Sequence, residues 1–354
     1  MSPSKEEMAF EQDLKQVRLP SRPQYPPVNQ TRAELLFQKA VAQARAGHWQ
    51  DSGSGFAEAW RSAPDQPRSA QGMLECALHL ARSGIVAPVI DLRSAQRAMG
   101  RISIIVCSID PRRLARLKRD LDRVLRQEDW ELIHIADARS LCEGYARGLL
   151  RADGELIVFC HDDIGIVCED FADRLRRHLA AHDLIGVAGS DYATGHSWHW
   201  AGPPHTASWV SLPRPDGALV CGLLGAHGPM LRDAQVLDGV FLAGRRAVFE
   251  QIPFDADTFD GFHCYDLDLS YRACRAGLRC AVALDLLIWH QSGGDFGESW
   301  RRYADRLIAK FPELTPRAPS APYRTGALVA ESALAAPLYA WIAHWLSAGP
   351  SAID

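Results

Sequence analysis

The sequence shows no strong excess of charge of either sign. Its 39 Lys and Arg stand against 43 Asp and Glu, a formal net charge of -4 over 354 residues. That leaves no basic footprint, and no nucleic-acid partner is expected. The one locally basic stretch, Arg112 to Arg126, also carries Asp120 and Asp122 and reads as the solvated face of a helix. Paired cysteines are lacking as well: there are nine Cys, an odd number, and no two have CxxC spacing. Several sit in apolar runs, as Cys160 does after Leu156-Ile157-Val158-Phe159. They read as small buried hydrophobes in a reducing compartment, which argues against a disulfide framework or a zinc site. Met1 to Asn29 contains no apolar signal core, so secretion is not expected. No run reaches the ~18 apolar residues of a membrane span; the nearest, Ala333 to Ala343, is short and contains Pro337. A cytoplasmic location is the expectation.

What is present is an ordinary globular composition, 47% apolar and 23% charged. Residues 1–29 are polar and carry Pro20, Pro23, Pro26 and Pro27, and are expected to form a loosely ordered arm. Residues 30–98 read as helical: Ala33, Leu36, Phe37, Ala40 and Ala44 keep helical spacing. Gly47-His48-Trp49, Phe56, Ala59 and Pro64 resemble the second helix of a tetratricopeptide repeat, with Ser52 where the repeat prefers Ala. A second helix pair is expected over Ser69 to Ser83, ending at Gly84. From Arg101 the pattern changes to strand-helix alternation. Strands are expected over Ile102–Cys107, Glu131–Ala136 and Leu156–Cys160, and helices from Pro111 to about Gln127, Leu141 to Leu150 and Phe171 to Ala181. Alternation at this spacing implies an α/β fold, a mostly parallel sheet flanked by helices, whose ligands bind at the carboxyl ends of the strands. Ser190 to Asp233 reads as long loops with short strands. Order is expected to return with Val236 to Ala243, a helix near Asp268 to Ala276, and a strand from Cys280 to Ile288.

Three groups of residues carry chemistry. His161-Asp162-Asp163 follows the third strand directly, and hard oxygen ligands there suit Mg2+ or Mn2+ bridging the phosphates of a nucleotide diphosphate; a polar strand-exit turn would leave the same trace. Asp238-Gly239, Phe254-Asp255 and His263-Cys264-Tyr265-Asp266-Leu267-Asp268 form the second group. Asp268 is expected at a helix start, held ionised by the helix dipole and by Arg272 at i+4. Asp266 is expected just before that helix, on a turn, free to point into the crevice. The plain alternative is two capping carboxylates. Trp289-His290-Gln291-Ser292 ends the last strand, where a His reaches the same crevice.

In this order the three groups resemble a family-2-type glycosyltransferase with the GT-A (Rossmann-like) fold, in the bacterial branch with HxD and HxYDxD motifs. Gly144-Tyr145 also fits that branch, and the resemblance covers residues 101–312. It implies metal binding by Asp163, His161 and His290, with His161 replacing the usual first Asp. It implies Asp266 as the base on the acceptor side. Cys107, Asp137 and Asp162 are placed on the nucleotide side, and Asp238, His263, Trp198 and Trp200 on the acceptor side. Only Asp137 stands where many families hold the base with an Asp pair, so the nucleotide is left open among UDP, dTDP and GDP.

The resemblance thus implies an inverting, Mn2+- or Mg2+-dependent enzyme that moves a sugar from a nucleotide-diphosphate donor to a glycan or protein hydroxyl, as in polysaccharide biosynthesis. A non-catalytic interaction protein on a degenerate transferase domain is the alternative. A nucleotidyltransferase would want a Gly-rich, basic phosphate loop after the first strand, which Cys107-Ser108-Ile109-Asp110 does not offer. Residues 313–354 read as a helical tail in which Leu334, Leu338, Trp341, Ile342 and Trp345 share one face. That face is expected to dock on the inner membrane surface, on a second copy of the chain, or on the catalytic domain itself.

Overall fold

The computed structural model describes residues 21–88, 98–294, 296–315 and 326–347. Most of the expected N-terminal arm, and parts of the helical segment and of the tail, lie outside these residues. Three helices come first: α1 (Gln30–Arg45), α2 (Trp49–Ser62) and α3 (Pro67–Arg82). The Asn29 side chain caps α1 by accepting from Arg32 N at 2.9 Å. Gly47 and Gly84 follow α1 and α3 with φ of 80° and 68°, left-handed values that end a helix cheaply only at glycine. Over Ser69 to Ser83 there is one helix rather than a pair, because no turn signal interrupts that stretch.

The alternating part runs β1 (Ile102–Cys107), α4 (Pro111–Val124), β2 (Trp130–Ile135), α5 (Leu141–Arg151), β3 (Leu156–Cys160), β4 (Ile164–Ile166), α6 (Phe171–Ala181), β5 (Leu184–Gly186) and β6 (Ala188–Ser190). Short strands β7 (Thr206–Ser208), β8 (Leu212–Pro213), β9 (Leu219–Leu223) and β10 (Met230–Arg232) cross the Gly- and Trp-rich stretch. Then come β11 (Val236–Leu237), β12 (Phe241–Arg245), α7 (Arg246–Gln251), α8 (Tyr265–Arg275), β13 (Cys280–Ala283), β14 (Ile288–His290), α9 (Glu298–Lys310), β15 (Gly326–Ala330) and α10 (Ser332–Ser347).

The central sheet has seven strands in the order β10-β13-β5-β12-β3-β1-β2. β1 runs parallel to β2 and β3, and β5 parallel to β13, while β12 opposes both β3 and β5 and β10 opposes β13. The sheet is therefore mixed, with most strands in one direction and helices flanking it. The continuous apolar runs of β1 and β3 are explained by burial on both faces: Ile102, Ile105, Leu156, Ile157, Val158 and Phe159 have no exposed surface. Two expected segments are split. Val236 to Ala243 breaks at Asp238-Gly239 into β11 and β12, which belong to different sheets, and Cys280 to Ile288 breaks after Ala283, so that β14 pairs with β4 instead.

The C-terminal helix corrects one expectation. β15 pairs antiparallel with β9, and α10 packs on α3 and α2. Leu338, Trp341, Ile342 and Trp345 are all buried, so the face expected to dock on a membrane or a second copy is already covered by this chain. Among the described residues, no helix is long and apolar enough to cross a membrane. The seam is tight: a Cβ on Gly53 would lie 2.2 Å from the Trp345 ring. Gly53→Ala is expected to lower stability by about 1–3 kcal/mol through overpacking, read as a shift in denaturation midpoint.

Candidate active site

The site is assembled at the edge where β3 and β14 end and β12 begins. Strand pairing, which the sequence does not display, brings its parts together. β14 runs antiparallel to β4 with His290 opposite Ile164, which sets His290 beside Asp163, the residue preceding Ile164. Gly165 is needed for that pairing, since a Cβ there would meet the Trp289 ring at 2.2 Å. His290 Nε2 lies 3.1 Å from Asp163 Oδ1, and His161 Nδ1 lies 3.4 Å from His290 Nε2. The ligand atoms of His161, Asp163 and His290 all lie within 4.8 Å of one another.

The middle residue of the triplet points elsewhere. Asp162 accepts from Ser108 Oγ at 2.6 Å and faces Arg113 at 3.6 Å, on the side of β1 and α4. The turn at Asp162-Asp163, between β3 and β4, thus separates Asp162 from the pair His161 and Asp163.

The second half of the site comes from the Asp238-Gly239 turn and the start of α8. Helix α8 begins at Tyr265, three residues earlier than the sequence suggests, after Cys264 in a left-handed conformation with φ of 62°. Asp266 is therefore inside the first turn, with Asp268, and not on a preceding turn. The expectation that position outside the helix keeps Asp266 basic is overturned. Burial does so instead, and the charge of Asp238 adds to it: together they push the Asp266 carboxyl up to about 7, against the pull of the Gly239 N–H. That amide donates to Asp266 Oδ2 at 2.7 Å. Gly239 has no room for a side chain, since a Cβ would sit 2.2 Å from the Tyr265 hydroxyl.

Asp238 is differently placed. Its Oδ1 accepts from Val240 N at 2.8 Å and its Oδ2 from Trp198 Nε1 at 2.6 Å. Two donors hold it as an acceptor, whereas Asp266 sits in a drier place. Asp163 is held ionised: burial alone would raise it, but the hydrogen bond and charge of His290, with the charge of His161, keep it well below the usual carboxylate range.

Asp268 is structural, as expected, but more firmly than a cap. It is 1% exposed and pairs with Arg272 at 2.6 Å and with Lys310 at 2.6 Å. Removing one member of such a buried set strands the other charges. Asp268→Asn is accordingly expected to cost about 3 kcal/mol, well above the ~1 kcal/mol of a lost cap, and urea unfolding measures it.

A cavity of about 470 Å³ opens over this site, lined by His161, Trp198, Asp238, His263, Asp266 and His290 among others. Asp163 joins through His290. The remaining expected residues lie apart from this cavity. Asp137 is exposed and paired with Arg147 at 2.8 Å. Cys107 packs toward Gly144, where a Cβ would meet its sulfur at 2.5 Å, and burial pushes its thiol up to about 12. Trp200 stacks edge-on with His196 at 4.6 Å. Sequence reasoning missed Tyr265, whose hydroxyl is 3.2 Å from His161 Nε2 and donates to Gly239 O at 3.0 Å; its place inside the quoted HxYDxD motif was the available signal. It also missed Phe262, Phe296 and Trp300, which line the cavity and carry no sequence signal.

Residues 103–311 match the profile of the Glycosyltransferase like family. No curated protein matches the sequence. Solved structures that are distantly similar include two glycosyltransferase complexes. One is the mannosyltransferase PcManGT from Pyrobaculum calidifontis in complex with GDP-Man and Mn2+, at 14% identity and a TM-score of 0.37, covering 83% of this chain and 84% of that one. The other is GalNAc-T7 with UDP, GalNAc and Mn2+, at 11% identity and a TM-score of 0.37, covering 61% of this chain and 48% of that one.

Proposed function

The chain belongs to the glycosyltransferase-like family, whose profile spans more than half of it, and from that premise we propose that it is an inverting, divalent-metal-dependent enzyme that transfers a sugar from a nucleotide-diphosphate donor to an acceptor hydroxyl. One observation carries the reading: Asp266, a half-buried carboxyl whose proton affinity is raised to that of a base working near neutrality, lines the same cavity as His161 and His290.

The roles follow from the environments described above. Asp266 takes the proton from the acceptor hydroxyl as that oxygen attacks the anomeric carbon, and the nucleoside diphosphate departs. Gly239 N–H holds Asp266 Oδ2 in place while the carboxyl awaits its proton. Asp238 is held in place by two donors, and a single displacement by the acceptor oxygen inverts the anomeric centre. Tyr265 donates to Gly239 O, so it accepts from His161 Nε2, which leaves the His161 Nδ1 lone pair facing His290 and Asp163.

The donor set of two imidazoles and one carboxylate fits a divalent transition ion such as Mn2+ better than Mg2+, which prefers oxygen alone. His161, Asp163 and His290 would hold it. When bound, that ion neutralises charge on the diphosphate and makes it a better leaving group. The donor side is then the carboxyl end of β1 to β3, where Asp137 follows β2 and Asp162 follows β3.

Incubation with a panel of UDP-, dTDP- and GDP-sugars and Mn2+, followed by assay of released nucleoside diphosphate, tests the proposal. Release from at least one donor is expected. No release from any of them, in protein that is folded, would leave the non-catalytic alternative.

A further inference from the structure

One feature of the cavity is foreign to a site built only for polar sugars. β8, β9 and β15 form a three-stranded antiparallel sheet in which Leu212 stands opposite Val220, Val329 opposite Val220, and Ala327 opposite Gly222. Paired residues share a face, and the opposite face, with Cys221 and Leu219, is buried. The outward face therefore consists of Leu212, Val220, Val329, Gly222 and Ala327, with no polar side chain among them. An antiparallel sheet with one solvated face ordinarily alternates apolar-in and polar-out. Here Leu212 and Val329 are each 46% exposed, which leaves apolar area facing outward among the described residues.

This face is continuous with the acid-base site. Leu212, Val220, Gly222 and Ala327 line the same cavity as Asp238 and Asp266. Phe262 and Phe296, which also line it, are 53% and 52% exposed. Small residues at the centre keep the trough open: a Cβ on Gly222 would find only Gly326 O, at 3.9 Å. The cavity thus joins a carboxyl able to take a proton to an unfilled apolar strip.

We propose that the acceptor is an amphipathic alcohol whose hydroxyl-bearing head reaches Asp266 and whose hydrocarbon tail lies along the outward face of β8, β9 and β15. This rests on the glycosyltransferase reading of the site and names its acceptor class. Burying a tail on such a strip adds affinity with each methylene removed from water, whereas a free sugar or a polar peptide gains nothing there.

The test compares binding of n-octyl glycosides, below their micelle concentrations, with methyl glycosides of the same sugars. Glucose, galactose, mannose and N-acetylglucosamine heads are used with the full chain and no donor. For at least one head, the octyl form is expected to bind tenfold or more tightly than the methyl form. Gly222→Leu, which fills the strip without touching the fold, should erase that difference at an unchanged melting temperature. Leu212→Asp, on an exposed edge strand, should reduce it. Equal binding of octyl and methyl forms overturns the proposal, as does an octyl advantage that survives Gly222→Leu. Failure of the glycosyltransferase reading shows separately, as absence of Mn2+-dependent nucleoside diphosphate binding to the parent chain.

Discussion

Asp266→Asn is expected to reduce glycosyl transfer by roughly 10²–10⁴-fold, the usual cost of removing a general base, with fold and donor binding retained. Asn keeps an oxygen to accept from Gly239 N–H, so the local geometry survives and only the proton acceptor goes. The pH dependence follows from the same residue. A base must be ionised to act, and burial and the Asp238 charge raise Asp266 to about 7. Transfer by the parent should therefore rise with pH through about 7 and fall off tenfold per pH unit well below it. The same shift has a sign for stability. The folded state binds this proton more tightly than the unfolded chain, whose carboxyl titrates near 3.8. Folding stability is thus lost as pH rises from about 4 to about 7. Asp266→Asn escapes that penalty and should melt at a higher temperature than the parent at pH 8, the gap closing toward pH 4. Parental transfer rates in Asp266→Asn, or a pH profile flat from 5 to 8, would remove Asp266 from the base's role.

Chelation is the second expectation of large effect. Activity should fall to background with EDTA and return with Mn2+, and less fully with Mg2+, because two of the three ligand atoms at His161, Asp163 and His290 are imidazole nitrogens. Asp163→Ala should abolish Mn2+-dependent binding of nucleoside diphosphate, measured by calorimetry, and with it transfer. The substitution removes the one carboxylate of the set and leaves His290 without its 3.1 Å partner. Full activity in EDTA, or unchanged Mn2+-dependent binding in Asp163→Ala, is incompatible with the assigned cluster.

Much of the frame was legible because the signals are local. The apolar runs of β1 and β3, the Pro at the start of α4 and the alternation of strands and helices from Arg101 onward follow from burial on both sheet faces and from backbone preferences of a few residues. The order His161-Asp162-Asp163, Asp266, His290 also reads directly from the chain, as residues that follow strands or open a helix. The sequence could equally be read as far as the apolar face of α10, though not as far as what covers it.

Tertiary structure decided the rest, because pairing between distant segments leaves no periodic trace. The β4–β14 register sets His290 beside Asp163. A left-handed Cys264 starts α8 at Tyr265 and draws Asp266 into the helix. Its raised proton affinity therefore comes from dry surroundings and the charge of Asp238, quantities summed over neighbours far apart in the chain. Pairing of β15 with β9 turns α10 inward against α2 and α3, burying Trp341 and Trp345, and leaves the outward face of that small sheet apolar. Spacing along the chain fixes which residue types can meet a strand end or a helix turn; only the packed fold fixes which of them meet one another, and with what solvent.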